Sequence, residues 1–195
     1  MKKATSIVLS LAIATSALAT KPAVYKINAA KSTLTWLGKK VTGQHSGTVK
    51  LTSGTFNMQG KNITTGTFVI DMNSMLCTDL KAEEGADKLI GHLKSPDFFD
   101  TEKNKTATFV ITQTVLRKDG QTDVTGKLTI KGITNEVTFP ASVKNEGKAL
   151  AMVGKITVDR TKFDIKYGSK SFFDSIGDKA IDNDFFIDFK IVALK

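Results

Sequence analysis

The sequence FFIDFKI, residues 185–191, contains the pattern that decides the fold. Its odd-numbered positions are all apolar, and Asp188 and Lys190 lie between them. Successive side chains of a β-strand point to opposite faces of a sheet, so this alternation places the apolar residues on one face. The segment is therefore predicted to be a strand with one buried face.

The same period of two recurs in seven segments upstream, which gives eight predicted strands. The connections between most of them are short and carry Gly, Asn or Asp, as antiparallel neighbours require. The apolar positions of the seven segments are Leu34 and Trp36; Val49 and Leu51; Phe68, Ile70 and Met72; Phe109 and Ile111; Val124, Leu128 and Ile130; Val137, Phe139 and Val143; and Met152, Ile156 and Val158.

Eight antiparallel strands that are each apolar on one face either close into a barrel or fold into a sandwich. Closure removes the exposed edges of the sheet. Gly126 and Gly154 fall on the predicted inner face, where they would leave space in a barrel but voids in a sandwich core. The prediction is an all-β fold, an eight-stranded antiparallel up-and-down barrel.

Two stretches interrupt the strands. Residues 81–95 are predicted to form one helix that covers one end of the barrel, with Leu89, Ile90 and Leu93 on its apolar side and Pro96 just beyond its end. Residues 160–182 form a long stretch rich in Gly and Asp. So long a loop in a compact domain is usually functional or a lid.

Composition favours a single domain. The chain has 195 residues, of which 41% are hydrophobic and 24% charged, and its one cysteine allows no disulfide within the chain. Lys2 and Lys3 precede an apolar run that ends in Ala17-Leu18-Ala19, the pattern of a secretory signal. We expect a signal peptide over residues 1–19, cleavage after Ala19, and one barrel domain over residues 20–195 that is periplasmic or secreted.

The chain is basic. Loss of Lys2 and Lys3 lowers the formal charge of +9 by two, to +7, but the remaining lysines are spread along the strands and turns. The export signal and the lack of an aromatic-plus-basic RNA motif argue against nucleic acid as a partner. The positive charge is better explained by transient attraction of the protein to anionic lipid head groups at a membrane surface.

Side chains suited to catalysis or metal binding are few. His45, Cys77 and His92 are separated by 32 and 15 residues, spacings that match no metal-ligand motif. A Cys77–His92 thiol–imidazole pair is conceivable, but a lone cysteine is more often a small buried hydrophobe. No catalytic residue and no metal ligand is assigned, and none of these three residues is given a specific role.

The predicted inner face is rich in large residues, and the chain has twelve phenylalanines. An eight-stranded barrel either fills its interior with side chains or holds one ligand, and a cavity lined by Phe, Ile and Met suits an apolar ligand. From the residues alone both outcomes remain open. The residues predicted to line the pore are Leu34, Trp36, Phe68, Ile70, Met72, Phe109, Ile111, Leu128, Ile130, Phe139, Phe185, Ile187 and Phe189.

Two motifs carry a resemblance to a known family. The run KLIGHLKSPDFFD at residues 88–100, followed by Ala107-Thr108-Phe109, and the strand-turn GKLTIKGITNEV at residues 126–137 resemble the YceI-like family of bacterial periplasmic proteins. The similarity extends over nearly the whole chain after residue 19. Leu89 and Ile90 stand where many members carry an Arg-Asp pair, so no head-group role of that pair is carried over, whereas His92 matches.

The resemblance implies a lipocalin-like barrel that holds a polyisoprenoid or similar amphiphile, with no catalytic activity. We further predict that the helix over residues 81–95 and the pair Phe98 and Phe99 cover one mouth of the barrel, with His92 near enough to meet a polar or anionic head group. We expect a binding or carrier protein with no cofactor other than a bound isoprenoid or fatty amphiphile, either monomeric or a homodimer. The alternatives are a packed barrel that acts through its surface and, less favoured, an extracytoplasmic enzyme.

Overall fold

The computed structural model describes residues 22–60 and 62–195, so the expected signal peptide over residues 1–19 lies outside the described residues. The described part contains nine strands and one α-helix, α1 (Ala86–Lys94). The strands are β1 (Ala23–Ile27), β2 (Thr33–Lys40), β3 (Gly43–Gln59), β4 (Asn62–Cys77), β5 (Thr106–Leu116), β6 (Thr122–Ile130), β7 (Ile133–Glu146), β8 (Ala149–Asp159) and β9 (Ile181–Leu194).

Strands β2 to β9 form a closed eight-stranded antiparallel barrel, which confirms the predicted fold class. Each strand pairs with its neighbour in the chain, and β2 pairs with β9 to close the sheet, with Leu34 opposite Phe189 and Trp36 opposite Ile187. The alternation at residues 185–191 thus marks the strand that completes the barrel.

The ninth strand, β1, was not predicted. It pairs with the second half of β3, where Tyr25 lies opposite Phe56, and its last residues pair with the end of β9. Tyr25 stacks on Phe56 with ring centroids 5.4 Å apart. The strand has only five residues, and Val24 between its inward positions is itself apolar and exposed, so its alternation is weak.

The predicted helix over residues 81–95 is wrong at its beginning. Residues 82–84 form a separate 3-10 turn, and α1 begins only at Ala86, after Gly85 with a φ of 96°. This left-handed backbone conformation, which suits glycine, ends the turn and separates it from the helix. Leu89, Ile90 and Leu93 pack against the barrel core as expected.

The up-and-down order puts connections alternately at two ends of the barrel. The end that we call the mouth carries the β2–β3 and β6–β7 turns, the β4–β5 connection with α1, and the β8–β9 connection over residues 160–180. The other end, the base, carries the three short connections β3–β4, β5–β6 and β7–β8. Both long connections therefore lie at the mouth.

None of the helices in the described part of the chain is both long and apolar enough to cross a membrane.

Candidate ligand-binding cavity

An apolar cavity of about 190 Å³ occupies the half of the barrel nearer the mouth. Twelve of the thirteen residues predicted to line a pore line it, and Phe98 and Phe99 line it near the mouth. The twelve are Leu34, Trp36, Phe68, Ile70, Met72, Phe109, Leu128, Ile130, Phe139, Phe185, Ile187 and Phe189.

The thirteenth residue, Ile111, does not line the cavity. Its side chain is 2% exposed and lies one inward position closer to the base than Phe109, opposite Gly126. It is part of a packed region at the base that includes Phe56, Ile63 and Val124, all fully or almost fully buried. Alternation identified the inward face correctly but carries no information on the depth at which the interior closes.

His92 also lies outside the cavity lining. Its ring packs edge-on against Phe98 and Tyr167, with centroids 4.9 and 4.6 Å away, and its Nε2 lies 3.3 Å from Asp97 Oδ2. Phe98 does line the cavity, so His92 contributes indirectly by packing against a residue of the cavity wall. It joins α1 to the long β8–β9 connection through Tyr167.

Four phenylalanines form a row of rings across the lower part of the cavity, and we call them the phenylalanine floor: Phe68, Phe109, Phe139 and Phe189. Their ring centroids are successively 6.2, 5.4 and 5.6 Å apart. Phe68 and Phe109 are direct cross-strand neighbours on β4 and β5. Such spacings are those of favourable aromatic pairs, which add stability beyond the area that they bury.

The glycines predicted to leave space on the inner face instead lie directly beneath these rings. A Cβ added at Gly126 would lie 2.5 Å from Cε2 of Phe109, and one added at Gly154 would lie 2.7 Å from Cζ of Phe189. The expectation of open space at these positions is therefore wrong. The absence of side chains at Gly126 and Gly154 leaves the space that the rings of Phe109 and Phe189 occupy.

Arg160 was not predicted, because a charged residue does not follow the apolar alternation. It lines the cavity near the mouth and is 3% exposed. Its guanidinium donates hydrogen bonds to the backbone oxygens of Ile165 (2.9 Å), Ile181 (3.0 Å) and Asp182 (2.9 Å). Burial lowers the pKa of Arg160 below its ordinary value, although an arginine retains its charge at any physiological pH.

The charged residues that line the cavity are all at the mouth. They are Lys39 on β2, Arg160, and Asp182 and Asp184 on β9. Below them the wall is formed by aliphatic, aromatic and methionine side chains, including Met75, Met152, Ile156 and Val158, which were not among the predicted site residues. The arrangement suits an apolar chain inside and a polar group at the mouth.

A second cluster joins three polar residues outside the cavity. Asp79 accepts hydrogen bonds from the Cys77 thiol and the Ser46 backbone N–H, each at 3.1 Å, and its Oδ2 lies 3.1 Å from His45 Nδ1. Burial, followed by the hydrogen bond to Asp79, raises the pKa of Cys77. A protonated thiol is a poor nucleophile.

Opposing effects act on the pKa of Asp79. Partial burial raises it, but the hydrogen bonds from Ser46, Cys77 and His45 together outweigh burial and hold it below its ordinary value. Within residues 22–60 and 62–195, no three His, Cys, Asp or Glu side chains lie close enough together to hold a metal ion.

Comparison with known families gives a match along almost the whole described chain: residues 25–193 match the model of the YceI-like domain. Among curated proteins, Protein YceI of Escherichia coli O157:H7 is 38% identical over 102 residues, which are 52% of this chain and 50% of that protein. A UPF0312 protein of Vibrio parahaemolyticus is 31% identical over 131 residues, 63% of this chain and 66% of that protein. The matches thus span about half to two thirds of the length of these relatives.

Solved structures share the fold at low sequence identity. The crystal structure of BcnA from Burkholderia cenocepacia superposes with a TM-score of 0.69 at 22% identity, covering 85% of this chain and 98% of that one. A polyisoprenoid binding domain from Saccharophagus degradans, described as implicated in plant cell wall breakdown, has a TM-score of 0.59 at 14% identity, covering 87% of this chain and 97% of that one.

Proposed function

Because the chain belongs to the YceI-like family, we propose that it is a binding or carrier protein that holds the tail of an isoprenoid or a similar long-chain amphiphile in its barrel. We further propose that it works outside the cytoplasm, in the periplasm or after secretion. The signal-like pattern that ends at Ala19 supports this location.

The observation that carries the proposal is the apolar cavity beneath a charged rim. Its wall below the rim consists of apolar side chains, so the hydrophobic effect is the source of affinity that it offers. Each buried methylene contributes about 0.8 kcal/mol before the costs of ordering the ligand. The polyisoprenoid-binding function of the domain from Saccharophagus degradans, which shares the fold, supports the same class of ligand.

The head group would remain at the mouth. Lys39 and the carboxylates of Asp182 and Asp184 line that end of the cavity and offer both donors and acceptors. Tyr167, Phe172 and Phe173, on the β8–β9 connection, are exposed at the same end. These exposed aromatic side chains favour the proposal that the protein contacts a lipid surface transiently when it takes up its ligand.

We propose binding rather than catalysis. The cavity-lining residues place their ionisable groups at the rim, away from the position of a buried tail. His45 and Cys77, which have the side chains best suited to acid–base or nucleophilic chemistry, bond to Asp79 outside the cavity. The proposal requires no cofactor other than the bound amphiphile.

The test is mass spectrometry of an organic extract from protein purified without detergent, combined with titration of the delipidated protein with farnesol. We expect a co-purified amphiphile and saturable one-to-one binding. A protein that carries no amphiphile, and that takes up none at any tail length, would instead support a packed barrel that acts through its surface. Size-exclusion chromatography with and without ligand would show whether a homodimer takes part.

A further inference from the structure

On six neighbouring strands the lining of the cavity ends at a defined inward residue. On each strand an inward residue lines the cavity, and the next inward residue toward the base does not. These pairs, lining residue first, are Phe68 and Gly66 on β4, Phe109 and Ile111 on β5, Leu128 and Gly126 on β6, Phe139 and Ala141 on β7, Met152 and Leu150 on β8, and Ile191 and Ala193 on β9.

Below this level the barrel is packed. Phe56, Ile63 and Val124 are at most 2% exposed, and a Cβ added at Gly66 would lie 3.0 Å from both Phe56 and Ile111. Interiors packed this closely have no space for additional groups without displacement of side chains. A tail that enters from the mouth therefore stops above this packed region, where Phe68, Phe109 and Phe139 of the phenylalanine floor are the last lining residues on their strands.

From these two observations we propose that the phenylalanine floor sets the tail length that the cavity accepts. This inference rests on the proposed function and specifies the ligand further: only the terminal segment of the tail is enclosed. Phe109 and Phe139 lie in the middle of the floor, with ring centroids 5.4 Å apart, and are the residues that the end of the tail would meet.

The size of the cavity gives the length of that segment. The volume of about 190 Å³ is little more than the ~150 Å³ of an apolar cavity that binds benzene, a ligand of six carbons. In proportion, the cavity encloses about eight carbons of the tail.

The test measures the affinity of the delipidated protein for straight-chain 1-alkanols of six to fourteen carbons, by displacement of a fluorescent probe. For the wild type we expect each added methylene to tighten binding about fourfold up to about eight carbons, and we expect no further gain beyond that length. The carbon number at which the gain stops is the break point.

Phe139→Ala removes a ring from the floor. We expect the fourfold gains to continue for about two more methylenes, so that the ten-carbon alkanol binds about 16-fold more tightly than to the wild type. Phe99→Ala is the matched control, because Phe99 lines the cavity near the mouth rather than at the floor. It should weaken binding at every length and leave the break point where it is.

If Phe139→Ala does not fold, Phe109→Leu removes less volume and should move the break point by about one carbon. Wild-type affinities that rise steadily to fourteen carbons would overturn the floor while leaving the proposed function intact. A folded floor variant with an unchanged break point would do the same. Absence of binding at every length would overturn the proposed function and the floor together.

Discussion

The ring of Phe189 lies against Gly154, its antiparallel neighbour on β8, so closely that a Cβ at residue 154 would lie 2.7 Å from Phe189 Cζ and 2.8 Å from the backbone oxygen of Pro140. The ring could rotate away from a new methyl group, but the backbone oxygen could not without distortion of the sheet. Gly154 is therefore required for one ring of the floor to lie where it does.

Gly154→Ala should lower the free energy of unfolding by about 1–3 kcal/mol, the usual cost of overpacking a core. Gly38→Ala is the matched control, because Gly38 also lies within a barrel strand but an added Cβ there meets nothing within 4 Å. Urea unfolding of the two variants measures the difference. Equal effects would contradict the packing described for Phe189.

Two isoleucines should separate stability from binding. Ile111 is buried in the packed base, so Ile111→Ala should cost about 2–4 kcal/mol of stability and leave the affinity for an amphiphile unchanged. Ile156 lines the cavity and is only partly buried, so Ile156→Ala should cost less stability and weaken binding severalfold. Urea unfolding measures the stability of both variants, and alkanol titration measures their affinity. If Ile111→Ala weakened binding and Ile156→Ala did not, the assignment of Ile156 rather than Ile111 to the cavity wall would be contradicted.

Arg160→Met should loosen the β8–β9 connection. The variant leaves the backbone oxygens of Ile165, Ile181 and Asp182 without the guanidinium donor, at a cost of about 2–4 kcal/mol. Limited proteolysis should then cut within residues 161–180 much faster than in the wild type. Lys162→Met, a change at an exposed neighbour, should leave the cleavage rate unaltered.

Acid should weaken the cluster around Asp79. The pKa of this carboxyl is lowered in the folded protein, so its ionised form stabilises the fold above its unfolded pKa near 3.8, and this contribution is lost as pH falls through the lower folded value. Between pH 5 and pH 2, about one pH unit or more on either side of ~3.8, the Asp79→Asn variant should lose less stability than the wild type. Because the side chain is 32% exposed, we expect a difference below about 1 kcal/mol, measured by urea unfolding across this range.

Cys77 should react slowly with thiol reagents. Burial and the hydrogen bond to Asp79 raise its pKa, which keeps the thiol protonated at neutral pH. In Asp79→Asn the carboxylate charge that opposes thiolate formation is absent, so the pH profile of iodoacetamide labelling should move to lower pH. His45→Gln is the control for disturbance of the cluster, and an equal movement of its profile would point away from the Asp79 charge as the cause.

Alternation in the sequence was sufficient to predict the eight barrel strands and their inward faces. The choice of a barrel over a sandwich rested on the removal of sheet edges and on space at Gly126 and Gly154, which the rings of Phe109 and Phe189 in fact occupy. The apolar residues at 185, 187, 189 and 191 all lie on the inner face, and β9 closes the sheet against β2. Period two follows directly from strand geometry, so it survives in any strand with one buried face. The short strand β1 escaped detection because five residues with an apolar outward position carry little of this signal.

The depth and the shape of the cavity could not be predicted in the same way. Phe109 and Ile111 have the same position in the alternation, yet only Phe109 borders the cavity. The difference depends on which side chains from other strands fill the space, a tertiary property with no local pattern. Arg160 was missed for a related reason, since its three acceptors are backbone oxygens up to 22 residues away.

Arg160 also affects the conformational entropy of the long β8–β9 connection. Its guanidinium bonds to Ile181 and Asp182, at the far end of the same loop, so one side chain ties the two ends of that loop together. The entropic cost of closing the loop is then met where Arg160 joins its two ends. This cost grows only logarithmically with the number of residues between those ends. Residues 172–175, which are exposed, can therefore be lengthened or replaced with little loss of stability of the barrel. A domain inserted there would have its termini held a short, fixed distance apart.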